Sequence, residues 1–288
     1  AQQLAQKATE NPEAQAEYQT GRREWNKRSK EGFENAINHF EKAIELDPNY
    51  ADSYAGLGDT YGLLPAYNFA EPKEAMPQAK SYAEEAIKLN PNLASAYTSI
   101  AWVQHVYEYD WAGAEANYKK AIQLNPNYAT GHQWYGELLY HTGKEELAFD
   151  HLSKAVELAP TSKIIKHNLS VCCWVLGRDE LSKEYADEAL AIDPYFPLPL
   201  RTKYAGLKHG KPEDAIDEVL EAYEFYPNQP VFLQILFDLY WESNAREKAF
   251  NCLVELLDKH HDTFQKAGFA NIYFIMDRPE DAYRWLEK

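Results

Sequence analysis

Ala114-Glu-Ala-Asn-Tyr118-Lys-Lys-Ala121-Ile-Gln-Leu-Asn125-Pro126-Asn127 is the stretch that decides the fold. Counting back from Pro126, a small residue stands twelve positions upstream, a bulky one eight upstream and an alanine five upstream. Residues separated by three, four and seven positions share one face of an α-helix. Alanine on that face lets two helix backbones approach closely, and the bulky neighbour fills the space beside it. The proline forbids further helix, and the asparagines around it bond nearby backbone and set a turn.

The same frame recurs at Pro48, Pro91, Pro160, Pro194 and Pro227, so the gaps along the chain are 43, 35, 34, 34 and 33 residues. The small position is Ala36, Ala79, Ala114, Ala148, Ser182 and Ala215, and the bulky or apolar one is Phe40, Ala83, Tyr118, Leu152, Ala186 and Val219. The alanine is Ala43, Ala86, Ala121, Ala155, Ala189 and Ala222. A period near 34 predicts a stack of two-helix units, each touching its neighbours, with function on the surface of the stack.

First helices complete the motif. The second unit has Tyr54, Leu57, Gly58 and Tyr61, and the fourth has His132, Tyr135, Gly136 and Leu139. With the alanine and proline positions these resemble the tetratricopeptide (TPR) pattern W-x2-L-G-x2-Y, A-x3-F-x2-A, P over nearly the whole chain. The resemblance implies an all-α fold, a right-handed α-solenoid (superhelix) of antiparallel two-helix TPR units. The expected organisation is a linker or the end of an upstream helix over 1–12, then an array over 13–288. That array holds about seven full units plus a truncated eighth beginning near Thr263. A seventh proline is expected near residue 260, where His260-His261-Asp262 stands instead, read as a turn. The lack of an initiator Met and the uncapped end at Arg284–Lys288 point to a fragment of a longer protein.

Charge and cysteines narrow the function. Lys plus Arg is 29 against 45 Asp plus Glu, a net −16. That runs against a grip on nucleic acid or an anionic membrane, and no apolar run reaches the roughly 20 residues that span a bilayer. Arg22, Arg23, Lys27, Arg28 and Lys30 form one local basic run, read as a solvated helix face or else a docking patch. Cys172, Cys173 and Cys252 are read as buried reduced thiols of a cytoplasmic protein. No nucleotide-binding loop, zinc-protease helix, paired-cysteine motif or nucleophile elbow occurs, so neither an enzyme nor a cofactor is expected. The second unit carries an insertion, 62–72, whose Leu63, Leu64, Tyr67 and Phe69 either fold back on the neighbouring unit or form a lip over a groove.

Longer stretches carry a narrower resemblance. Tyr18-x2-Gly21-Arg22-x2-Trp25-Asn26-Lys27-Arg28, Asp110-Trp-Ala-Gly-Ala114 and His132-Gln-Trp-Tyr-Gly136 are similar to the TPR tails of certain bacterial signalling and transcriptional regulator proteins. This implies a regulatory or sensory segment fused to an N-terminal output domain that lies outside this chain.

In TPR proteins the first helices line the concave side. Positions between the packing residues are then groove-facing: Asp59; Trp102 and His105; Gln133, Trp134, Glu137, Tyr140 and His141; His167, Asn168 and Trp174; and Arg201. Exposed aromatics beside amides suit recognition, although such rings also pack between first helices. Three consecutive units carry Thr98 and Trp102, Gln133 and Glu137, and His167 and Val171 where chaperone-binding TPR domains hold the Lys, Asn and Arg of their carboxylate clamp. No such clamp is expected, and the neutral-to-acidic groove suits a peptide with Lys or Arg among apolar residues. The leading expectation is a non-catalytic protein- or peptide-binding module. The rivals are a small-molecule sensor using the same groove and a scaffold with an empty one.

Overall fold

The computed structural model describes residues 9–205, 212–226, 229–260 and 266–287. Among them every regular element is helical. The helices run α1 (Pro12–Trp25), α2 (Lys30–Leu46), α3 (Ala51–Leu63), α4 (Pro72–Leu89), α5 (Ala94–Val103), α6 (Trp111–Leu124), α7 (Ala129–His141) and α8 (Glu145–Leu158). They continue as α9 (Lys163–Val175), α10 (Asp179–Ile192), α11 (Pro197–Ala205), α12 (Pro212–Phe225), α13 (Pro230–Glu242), α14 (Arg246–His260), α15 (Lys266–Ile275) and α16 (Pro279–Glu287). Consecutive helices pair into hairpins in the all-α, tandem two-helix arrangement of an α-solenoid. The hairpins gather into two compact units, Ala1–Leu158 and Ala159–Lys288. Pro227, His261, Asp262, Thr263 and residues 1–8 of the expected linker lie outside the described residues.

The alanine stripe is the core. Ala43, Ala86, Ala121, Ala155 and Ala189 are fully buried, as are Phe40, Tyr118 and Leu152. Close approach is achieved in places by having no side chain at all. A Cβ on Gly21 would lie 2.6 Å from the Phe40 ring, and one on Gly56 would lie 2.8 Å from it. Phe40 of the first hairpin therefore seats between a glycine of its own partner helix and one of the next hairpin.

The turns follow from their residues. Asp47 Oδ1 accepts from the Asn49 amide at 3.1 Å, Asn90 from Asn92 at 3.1 Å and Asn125 from Asn127 at 3.0 Å. Asp193 accepts from Tyr195 at 3.3 Å. Each Asx side chain thereby holds the chain as it leaves a second helix. Before α1, Asn11 caps the helix by accepting from the Glu13 and Ala14 amides, and its own amide donates to the Leu46 carbonyl. Within the hairpins, each described turn between first and second helix contains one left-handed residue: Arg28, Asn68, Tyr109, Gly143, Gly177, Asn244 and Asp277.

The 62–72 insertion folds back onto the preceding hairpin. Tyr67 and Phe69 pack at ring separations of 5.4 and 6.1 Å against Phe33 of α2. The three cysteines are buried and free. Burial pushes the Cys173 thiol up to about 11 and Cys252 up to about 12, so both stay protonated and unreactive.

Candidate functional site in the first unit

First helices of successive hairpins touch one another, α1 on α3, α3 on α5 and α5 on α7. Their facing side chains form a buried polar and aromatic seam. Arg22 on α1 donates to Asp59 Oδ2 on α3 at 2.8 Å, and Ser99 on α5 donates to Asp59 Oδ1 at 2.6 Å. One carboxylate thus ties three consecutive hairpins. Burial pushes its pKa up, while Arg22 and Ser99 oppose that rise. Beyond it, Trp102 Nε1 donates to the Gly62 carbonyl at 2.7 Å, and its ring lies 4.8 Å from that of Trp134 on α7.

After Val103, α5 widens into a π-turn over Gln104–Glu108. Such turns re-aim side chains, often at functional positions. Here it brings His105 Nε2 to 3.0 Å from His141 Nδ1 at the end of α7. Burial, with the His141 ring beside it, depresses His105 to about 3, so the pair is neutral at pH 7. Gln133 donates to Glu137 at 3.2 Å one turn along α7. Glu137 and Tyr140 are half-buried and His141 is exposed.

The structure corrects the expectation that aromatic rings stand displayed on this wall. Trp134 is 1% exposed and Trp102 is also buried, as are Asp59, His105 and Gln133. Their rings and amides satisfy one another between first helices. The solvated reading of the basic run also needs correction. Arg23, Lys27 and Lys30 are exposed, but Arg22 is turned inward to Asp59, and Arg28 is 5% exposed and lies over the Trp25 ring at 3.4 Å. The signal was present: Arg22 shares the α1 face of Tyr18 and Trp25, at spacings of four and three.

A second histidine pair went unnoticed in the sequence. His132 on α7 and His151 on α8 bring their Nδ1 atoms to 3.0 Å, while His132 Nε2 lies 3.0 Å from the Pro126 carbonyl. Nineteen residues separate the two in the chain, and only the hairpin brings them together.

In the second unit, His167 and Asn168 are buried on α9, and Trp174 is 49% exposed. The side chain of Arg201, on α11, falls outside the described residues. Ser170 and Ser182 exchange hydrogen bonds with each other's backbone carbonyls at 2.7 and 2.8 Å, locking α9 to α10. Within the second unit an open cleft of about 470 Å³ is lined by Tyr273, Arg284 and Trp285, and within the first an open cleft of about 210 Å³ is lined by Met76, Lys80 and Tyr107. Among the described residues no three His, Cys, Asp or Glu side chains converge as metal ligands, and no helix is long and apolar enough to cross a membrane.

Two family models fit this pattern, one described as TPR repeat over residues 27–64 and one as tetratricopeptide repeat over 104–163. Residues 27–64 and 104–163 are thus TPR repeats. Human tetratricopeptide repeat protein 6 is 26% identical over 160 residues, which is 56% of this chain and 23% of that protein's length. This chain therefore corresponds to less than a quarter of that relative. Solved structures share the fold at low identity. The APC/C hetero-tetramer Cut9–Hcn1 matches with a TM-score of 0.66 at 15% identity, covering 88% of this chain and 49% of that one. The human IFIT1 dimer with m7Gppp-AAAA gives 0.61 at 16%, covering 95% and 71%. Yeast Tom70 gives 0.56 at 18%, covering 97% and 60%.

Proposed function

We propose that this TPR chain is a non-catalytic scaffold that binds a protein segment along the first helices of its first unit. The observation that carries the reading is the outer edge of α7. Glu137, Tyr140 and His141 stand partly open to solvent above a floor of Trp102 and Trp134 that packing holds rigid. A rigid aromatic floor with adaptable polar groups at its edge suits an extended peptide. The acidic Glu137 and the net −16 favour Lys or Arg among apolar residues in that peptide. The same charge disfavours nucleic acid, although IFIT1, which shares the fold, is seen with m7Gppp-AAAA. Cut9 is seen assembled with Hcn1, a use of the fold in keeping with this reading. The resemblance to bacterial regulator tails suggests a cytoplasmic regulatory segment for a fused output domain.

The test is selection of a random peptide library on the immobilised full chain, followed by calorimetry. Basic, apolar peptides are expected to enrich, and Glu137→Lys with Tyr140→Ala should weaken them by about tenfold or more at unchanged melting temperature. Absence of enrichment, or peptides indifferent to both changes, would refute the assignment.

A further inference from the structure

The first hairpin turn holds a buried arginine that pairs with no carboxylate. Arg28 is 5% exposed, its guanidinium lies 3.4 Å above the Trp25 ring, and Arg22 lies 4.2 Å from the same ring. Arg22 is neutralised by Asp59 at 2.8 Å. Arg28 has the ring beneath it and, at longer range, the Tyr67 hydroxyl and the Asp59 and Glu137 carboxylates, but its Nε is buried with no hydrogen-bond acceptor. The indole Nε1 of Trp25, the group it stacks on, is also buried without an acceptor. Both atoms are donors that cannot accept. What the stack lacks is therefore an acceptor. Buried cations are otherwise paired.

The backbone adds an independent sign. Arg28 takes φ 57°, at the turn position that Asn68, Tyr109, Gly143, Gly177, Asn244 and Asp277 occupy in other hairpins, and only Tyr109 among these shares its lack of a residue type suited to that region. Glycine, asparagine or aspartate adopts that conformation with less strain than arginine. Holding an arginine there is a local cost of the kind found at binding sites.

We propose that Arg28 and Trp25 form a receptor for a carboxylate. The free Nε edge of a guanidinium matches a carboxylate fork through two parallel hydrogen bonds, and the indole N–H supplies a further donor. The insertion loop is the lip of the site. Tyr67 is half-buried, packs on Phe33, and is close enough for its hydroxyl to interact electrostatically with Arg28. Both orphan donors are shut off from solvent, so the carboxylate enters when residues 64–71 lift. This set, a turn arginine stacked on tryptophan, differs from a lysine–asparagine clamp, and Glu137 of the α7 edge lies within its electrostatic reach.

Calorimetry on the full chain with two probes tests this: sodium acetate, and an N-acetylated, C-amidated peptide carrying one internal glutamate. Saturable binding of acetate identifies a free organic acid as sufficient. Saturation by the peptide alone identifies a partner's acidic side chain. Arg28→Lys keeps the charge but loses the fork and should weaken the saturating probe by about tenfold or more. Trp25→Phe keeps the ring and should cost less. A rise in the parent's melting temperature with the saturating probe, absent with matched chloride, gives a readout independent of either variant. If neither probe saturates at tens of millimolar, or Arg28→Lys binds as the parent does, the donors are satisfied by water and the proposal is overturned.

Discussion

At the scale of single residues, burial separates two tryptophans that occupy similar first-helix positions. Trp134 is 1% exposed and stacked on Trp102, whereas Trp174 is 49% exposed. Trp134→Ala should cost about 3–5 kcal/mol in urea unfolding, and Trp174→Ala less than about 1 kcal/mol. Histidines make the second residue-level prediction. Burial lowers His105 to about 3 and His151 to about 4 from an ordinary 6.5. Between those values and 6.5 the unfolded chain binds more protons than the folded one, so stability is full above pH 6.5 and falls as pH drops through that window. At pH 5 the loss should reach about 1–2 kcal/mol per histidine. Melting curves from pH 7.5 to pH 5 check it: the slope should shrink in His105→Asn, and an unchanged slope would mean that His105 already charges in the fold.

At the scale of elements, the hairpin turn is the recurrent device, and its left-handed residue varies in type. At Gly177, φ is 69° and a Cβ would meet nothing within 4 Å. Gly177→Ala therefore isolates the conformational cost, about 1 kcal/mol, readable as a lowered urea midpoint at constant slope. A neutral outcome would show that the turn relaxes without effort. The 62–72 loop is the other distinctive element. The sequence showed that it was longer and apolar, but its contact with Phe33 depends on where α2 lies.

At the scale of the whole molecule, the net charge of −16 sets the solution behaviour. Self-repulsion opposes compaction and is screened by salt. Raising sodium chloride from about 20 mM to about 500 mM should raise the melting temperature by a few degrees. A fall instead would mean that pairs such as Lys144–Glu115 and Lys163–Asp193 contribute more than the global repulsion. The repeat also predicts that damage stays local, because each hairpin buries its face only against its neighbours.

The sequence by itself determined the period, the alanine stripe, the Asx-proline turns and the helical class. These rest on interactions within a few turns of one helix or between adjacent helices, where spacing is geometry. It did not determine which polar side chains of the first helices turn inward. Arg22 could reach solvent or Asp59, 37 residues away, and His132 could stand alone or meet His151. Only the tertiary structure chose, because the low dielectric between packed helices makes a buried partner decisive and an unpaired donor costly.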